Sequence, residues 1–343
     1  MSRKGWIIFF LSFLFALRAQ DMHLSQIDAS ALYFNPASTG CFNGSFRALA
    51  LHRQQWNGMG KGFITSYGSV EIPIVNNRDR INKGGVGGFF YTDQAGASRF
   101  KTNQASISAS GIVMMGENHA LAGGIQVSYI EKSFNMNNIH WVNQYDGFRY
   151  DPTINSQEIV MNPVTRFVDL GAGIRYQFDN VGKSFRIRPY QHFSINAAVF
   201  HPTEPFLGYL PLTQESLKMR WVGGMNLIQD FRGTFFGINM YGLYMKQGMF
   251  EQWMGGLLIR YRMKKYESQL TGLVNQNVIS FGVVYRNTGF VIPNIRFHLS
   301  GVEIGLCYDA FISTMRTMPK GMNGFEIMLT YTKPRKALFK VRK

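Results

Sequence analysis

Catalytic or metal chemistry needs histidines, cysteines or carboxylates at defined spacings, and this chain offers few. Its seven histidines, at 23, 52, 119, 140, 192, 201 and 298, form no HExxH pair and no ligand spacing with cysteine. A lone histidine such as His192 or His298 reads as a hydrogen-bonding wall residue. Cys41 and Cys307 make neither a CxxC pair nor a disulfide framework. Bridging them would demand close geometry, so both are expected to be free, with Cys307 facing inward. The glycine-rich GGVGGFF from Gly84 resembles a phosphate loop only superficially, because no helix follows; glycine there relieves strand curvature. No GxSxG occurs. Glu303, Asp309 and Glu326 read as wall carboxylates with basic counterparts, not as an acid/base pair. No catalytic, cofactor-binding or metal-ligating residue is expected.

What positions these side chains is a period of two, clearest in residues 301–332. Val302, Ile304, Leu306 and Tyr308 alternate with Glu303, Gly305, Cys307 and Asp309, and after a turn Phe325, Ile327, Leu329 and Tyr331 alternate with Glu326, Met328 and Thr330. Such alternation marks strands with one apolar and one polar face. Large apolar residues on one side and charges on the other suit a barrel with lipid outside and a polar lumen. In another run, Val168, Leu170, Ala172, Ile174, Tyr176 and Phe178 alternate with Asp169, Gly171, Gly173, Arg175, Gln177 and Asp179. Carboxylates and an arginine cannot face lipid cheaply, so this polar side should line a wet interior.

Composition agrees. Only 16% of the 343 residues are charged, 15% are aromatic, and mean hydropathy is −0.10. Soluble domains carry nearer a quarter charged residues. No apolar run beyond the N-terminus reaches the length of a spanning helix. Removing Arg3, Lys4 and Arg18 with a leader leaves +13 of the +16 net charge. The positives are spread along the chain and no nucleic-acid module is present, which points to anionic lipid or an acidic protein partner rather than nucleic acid.

In chain order, residues 1–19 read as a secretory signal peptide, with a basic start and a short apolar stretch. Residues 20–41 read as a non-strand lead-in that lies at, or plugs, the periplasmic mouth, because Asn35-Pro36 and Thr39-Gly40 are turn signals. Residues 42–332 form the barrel, with strands expected at 46–56, 63–72, 86–92, 100–114, 119–131, 168–179, 186–200, 219–229, 234–245, 250–263, 278–286, 291–299 and the final two. That makes fourteen. Long connections at 132–165 and 201–217 follow odd strands and belong outside; short turns follow even strands and belong in the periplasm. Residues 263–276 break this asymmetry, so a strand pair there is open to misplacement. The tail at 333–343, KPRKALFKVRK, holds six positives and is either solvated or a docking segment for an acidic periplasmic partner. The fold expected is therefore all-β, a single transmembrane antiparallel barrel after a cleaved signal peptide.

Several segments together resemble the PorP/SprF membrane proteins of the type IX secretion system of Bacteroidetes. The entry DMHLSQIDASALYFNPASTG, with Asn35, Pro36 and Gly40, is similar to that family's start, and RQQW at 53–56 is similar to its R-x-Q-W signature through Arg53 and Trp56. VEIGLCYD and NGFEIMLTY resemble its ending through Gly305, Tyr308, Asp309, Gly324, Phe325, Glu326 and Tyr331. Cys307 stands where the family has serine, and Ala310 and Phe311 replace an aromatic-Asn pair. The resemblance implies a non-enzymatic outer-membrane barrel that assists secretion or surface retention of a large cargo, such as an adhesin of gliding motility. It implies as partners the periplasmic ring and peptidoglycan-linked proteins of that machine, and the cargo's C-terminal domain. Trp56 also fits an interfacial anchor and Arg53 a lumen ion pair. The alternatives are a transport pore for a small hydrophobic or anionic substrate, and a barrel enzyme with scattered catalytic groups.

Overall fold

The computed structural model describes residues 22, 24–56, 62–76, 82–96, 99–135, 142–151, 153–155, 163–180, 190–208, 216–263, 277–312 and 323–334. The signal-peptide assignment, Arg188 and the tail beyond 334 lie outside these residues. Fourteen strands occur: β1 (Phe46–Gln55), β2 (Phe63–Val75), β3 (Asn82–Ala95), β4 (Phe100–Met114), β5 (His119–Ser133), β6 (Val164–Asp179), β7 (Gln191–Phe200), β8 (Arg220–Asp230), β9 (Phe236–Gln247), β10 (Phe250–Arg262), β11 (Val278–Arg286), β12 (Phe290–Leu299), β13 (Val302–Phe311) and β14 (Gly324–Lys333). Each pairs antiparallel with its sequence neighbours, and β14 closes on β1 from Phe46 opposite Lys333 to Gln55 opposite Gly324. Closure removes every free edge, the condition for strands in lipid. No helix among the described residues is long and apolar enough to span.

Alternation decides the faces. On β6, Leu170 and Ile174 are exposed on the outer wall while Asp169 is buried; on β13, Ile304 and Leu306 are exposed while Cys307 and Asp309 are buried. Arg175 and Glu303 share the inward parity and are partly buried. A one-residue slip would put all these charges into lipid, so the register is strongly specified. β12 and β13 meet at a two-residue hairpin whose Ser300 and Gly301 both have positive φ, 49° and 90°, the twist that favours tight hairpins.

Three details differ from the sequence reading. β10 and β11 pair directly, from Met254 opposite Arg286 to Arg262 opposite Val278, so residues 263–277 join neighbouring strands and displace no pair. β3 and β6 run several residues beyond their clean alternation, because ladder hydrogen bonds continue where the side-chain pattern lapses. Lys333 belongs to β14 and not to the tail: its carbonyl accepts from the Ser45 amide at 2.9 Å.

The interior also differs. Residues 24–41 enter the barrel as a descending segment containing α1 (Ala31–Phe34) and a 3₁₀ turn (Pro36–Ser38). Leu24, Ile27, Leu32, Tyr33 and Phe34 pack with the inward residues Leu49, Tyr67, Phe89, Tyr91, Phe200 and Met328 into one apolar core. The lumen is thus filled by packed side chains where an open, wet interior was expected. Asp169, only 1% exposed, pairs there with His201 at 2.9 Å. Several polar residues of inward parity bond to one another or to the segment, among them Ser106 with Ser128 at 2.8 Å and Ser108 with Thr39 at 2.9 Å.

Cys307 is buried, Cys41 is partly buried, and both are free. Maleimide should therefore label Cys307 only after denaturation, and both thiols should then react without reductant. A need for reduction would contradict this register.

Candidate functional site: the segment held in the lumen

At the end of the barrel that bears the long β5–β6 connection, inward parity puts four charges together. Arg53 near the end of β1 stands directly opposite Glu326 at the start of β14, Asp309 lies near the end of β13, and Arg286 ends β11. Ser25 sits among them. The Ser25 and Gln26 amides donate to the two oxygens of Glu326, each at 2.9 Å. The Ser25 hydroxyl donates to Asp309 Oδ1 at 2.9 Å and accepts from Arg53 Nη1 at 3.0 Å and Arg286 Nη2 at 2.6 Å. Both guanidiniums also reach Asp309 Oδ2, Arg53 at 2.5 Å and Arg286 at 3.2 Å. Two positives face two negatives, and no side chain of the four is more than 4% exposed. Such charges are tolerated in a dry interior only when every partner is in place.

Further along the segment, Asp28 Oδ2 receives Arg296 Nη1 at 2.5 Å, and Glu303 lies 3.8 Å from the same nitrogen. The Tyr33 hydroxyl accepts from Arg220 Nη1 at 2.6 Å and donates to the Met22 carbonyl at 3.2 Å. Its ring meets Tyr67, Phe89 and Tyr91 edge-on.

The Asn-Pro turn comes next. Asn35 Oδ1 accepts from the Ala37 amide at 2.8 Å, capping the 3₁₀ turn, while its Nδ2 donates to the Ile174 carbonyl of β6 at 2.9 Å. The wall has no side chain where this turn lies: a Cβ at Gly173 would strike Asn35, and one at Gly124 would strike Pro36. Ser38 Oγ accepts from Arg175 Nη1 at 3.1 Å, and the Thr39 carbonyl accepts from Ser110 Oγ at 2.6 Å. Gly40, with φ +70°, lies backbone-to-backbone against Gly85; a Cβ on it would come within 2.7 Å of the Gly85 Cα. Its amide donates to Glu71 Oε2 at 3.0 Å, and Arg47 holds the other oxygen of Glu71 at 2.6 Å. Gly85 therefore accommodates a second backbone, not strand curvature. The segment spans from the long-connection end to the opposite end, rather than staying at one mouth.

Among the residues singled out from sequence, Asn35, Pro36, Gly40, Arg53, Asp309 and Glu326 all touch this segment or belong to it. Gly305 leaves room for the Gln26 side chain. Gly324 lies opposite Gln55 and Asp309. Tyr308, Phe325 and Tyr331 point outward and are exposed, and the Trp56 ring packs edge-on against Phe63 at 4.7 Å. Arg175 contacts Ser38, Glu303 lies near Arg296, Asp169 pairs with His201, and Cys307 is opposite Glu326. Sequence reasoning missed Ser25, Asp28, Tyr33, Arg220 and Arg286. Inward parity could have found Arg286; nothing in the sequence marks Ser25. No metal-holding group occurs among the described residues.

A closed fourteen-strand barrel whose lumen holds an N-terminal segment defines a transmembrane β-barrel of the outer-membrane kind. The chain belongs to the PorP/SprF family, type IX secretion system membrane proteins, whose model matches residues 16–331. No curated protein matches it. Solved structures similar to it include the Ralstonia pickettii toluene transporter TbuX (8% identity, 89% of this chain and 93% of that one, TM-score 0.47). A Pseudomonas aeruginosa FadL homologue (11%, 89% and 94%, TM-score 0.45) and the KdgM porin (9%, 83% and 98%, TM-score 0.34) are similar too. The protein resides in the bacterial outer membrane.

Removing one partner from a buried pair costs about 3–5 kcal/mol, because the other charge stays unpaired. Arg53→Ala should lower stability by that order in urea unfolding of the refolded barrel, whereas the exposed Arg166→Ala should stay within about 0.5 kcal/mol. Equal effects would contradict the cluster's role.

Proposed function

We propose that this barrel assists type IX export of a cognate large surface protein, such as a gliding adhesin, by binding and not by conduction or turnover. The observation that carries this reading is the segment at 24–41, tied to the wall by ion pairs and hydrogen bonds along the length of the lumen. A lumen so occupied is poorly suited to an exported chain or to an open small-molecule path. On this reading residues 1–19 are removed on export, 20–41 act as the plug, the barrel runs from 42 through the end of β14 at Lys333, and the basic tail beyond it reaches the periplasm. The carboxylates Asp28, Asp309 and Glu326 are engaged by arginines, which favours binding over acid/base catalysis there. Outside, the cargo's C-terminal domain is the partner; inside, the periplasmic ring and peptidoglycan-linked proteins are.

Deleting the gene should leave one cognate cargo unsecreted or unanchored while other type IX substrates still reach the surface, as read by surface proteomics. Normal display of every cargo would discard the reading and favour a small-molecule pore.

The tail gives a second expectation. Truncation after Pro334 keeps β14 and its bonds to Ser45, so the barrel should fold. Co-purification of periplasmic partners should weaken in a salt-sensitive way, since exposed charges are screened beyond about 10 Å at 0.1 M salt. An unchanged partner list at low salt would leave the tail as solvated charge.

A further inference from the structure

The outer wall carries an apolar groove of about 510 Å³ where β14, β1, β2 and β3 lie side by side. Two rows of the sheet form it. In the first, Ala50 stands between Leu329 and Gly68, and Gly68 stands opposite Phe90. In the second, Ala48 stands between Tyr331 and Val70, and Val70 stands opposite Gly88. Leu329, Tyr331 and Phe90 are exposed and rise as walls beside the small floor residues. The next row down closes the groove with Ile72 opposite Val86, both exposed.

The row above is polar. His52 stands between Ile327 and Ser66, and Ser66 stands opposite Thr92, all with the outward parity of Ala50 and Gly68. His52 Nδ1 and Ser66 Oγ share a hydrogen bond of 2.9 Å, and Gln54 Nε2 lies 3.3 Å from the other ring nitrogen. One row higher, Gln54 stands opposite Phe325, which stands opposite Tyr308. Both aromatics are exposed, and such a girdle marks the level where membrane meets water. In that same row, through Ile64 and Gln94, comes the exposed Lys101.

The groove therefore has a blind apolar end and opens toward the long connections onto imidazole, hydroxyl and amide groups, with a cation beyond. A membrane-crossing helix would have to run past Ile72 and Val86, which block the way; a hydrocarbon chain with a polar head does not. Hydrocarbon already surrounds this wall, so the fit of the groove and the bonds to the head group select the occupant. Long connections lie on the extracellular side, which places that head group in the outer leaflet.

We propose that this groove binds the phosphorylated, acylated glucosamine lipid of the outer leaflet, lipid A. An acyl chain lies over Ala50 and Gly68, the sugar's hydroxyl and amide groups meet His52, Ser66 and Thr92, and Lys101 faces a phosphate. The site does not depend on the export reading.

Native mass spectrometry of the full barrel in detergent, titrated with purified lipid A or with phosphatidylethanolamine, tests it. Lipid A should bind at least about fivefold more tightly than phosphatidylethanolamine. Ala50→Leu with Gly68→Leu fills the groove and should abolish that preference. The backbone admits the change, since a Cβ at Gly68 would have the Leu49 carbonyl oxygen, at 3.8 Å, as its nearest neighbour. His52→Ala with Ser66→Ala should weaken lipid A binding and leave phosphatidylethanolamine binding as it was. Gly223→Leu, on the outward face of β8 where an added Cβ meets nothing within 4 Å, should keep the preference. Equal binding of the two lipids by the intact barrel would overturn the site. So would a preference that survives filling the groove or removing the polar pair, or one that is lost in Gly223→Leu.

Discussion

The structure depends on a neutral cluster of four buried charges closed around one serine. Arg53, Arg286, Asp309 and Glu326 come from four strands, β1, β11, β13 and β14, and none could remain charged in a dry lumen alone. Ser25 joins them through its amide and hydroxyl. The cluster therefore does two things at once. It fastens the closing seam, where β14 meets β1, and it fixes the segment that fills the interior. Removing the segment would strip both oxygens of Glu326 of their amide donors and leave Asp309 without the hydroxyl. Barrel closure and lumen occupancy are one cooperative arrangement.

The rest of the lumen follows from that fastening. A chain descending beside the wall needs room for its backbone, and the wall supplies it with glycine at 85, 124, 173 and 305. Between these openings the inward positions are large and apolar where Tyr33 and Phe34 lie, and arginine where Asp28 and Ser38 lie. A water-filled channel would not need such complementarity. The inward face of this barrel is shaped as a receptor for one peptide.

Strand alternation made the barrel, its strand number and its faces legible, because period two is imposed by backbone geometry and by the cost of charge in lipid. The carboxylates Asp309 and Glu326 and the Arg53 of the entry strand were legible as well, as inward charges wanting counterparts. Their common partner was not. Ser25 lies 301 residues from Glu326, and local pattern contains nothing about a contact at that separation. Polar inward residues read as wet for the same reason: parity says which way a side chain points, not what fills the space it points into. Gly85 illustrates the limit, since strand glycine serves curvature and close backbone approach alike, and only the position of Gly40 decides between them.

The latched segment should close the barrel. Conductance in planar bilayers measures this directly, comparing the intact protein with a form lacking residues 22–40. The intact barrel should show no sustained open-pore current, and the shortened one should open. Steady open-pore conductance of the intact protein, unchanged by removing the segment, would contradict it.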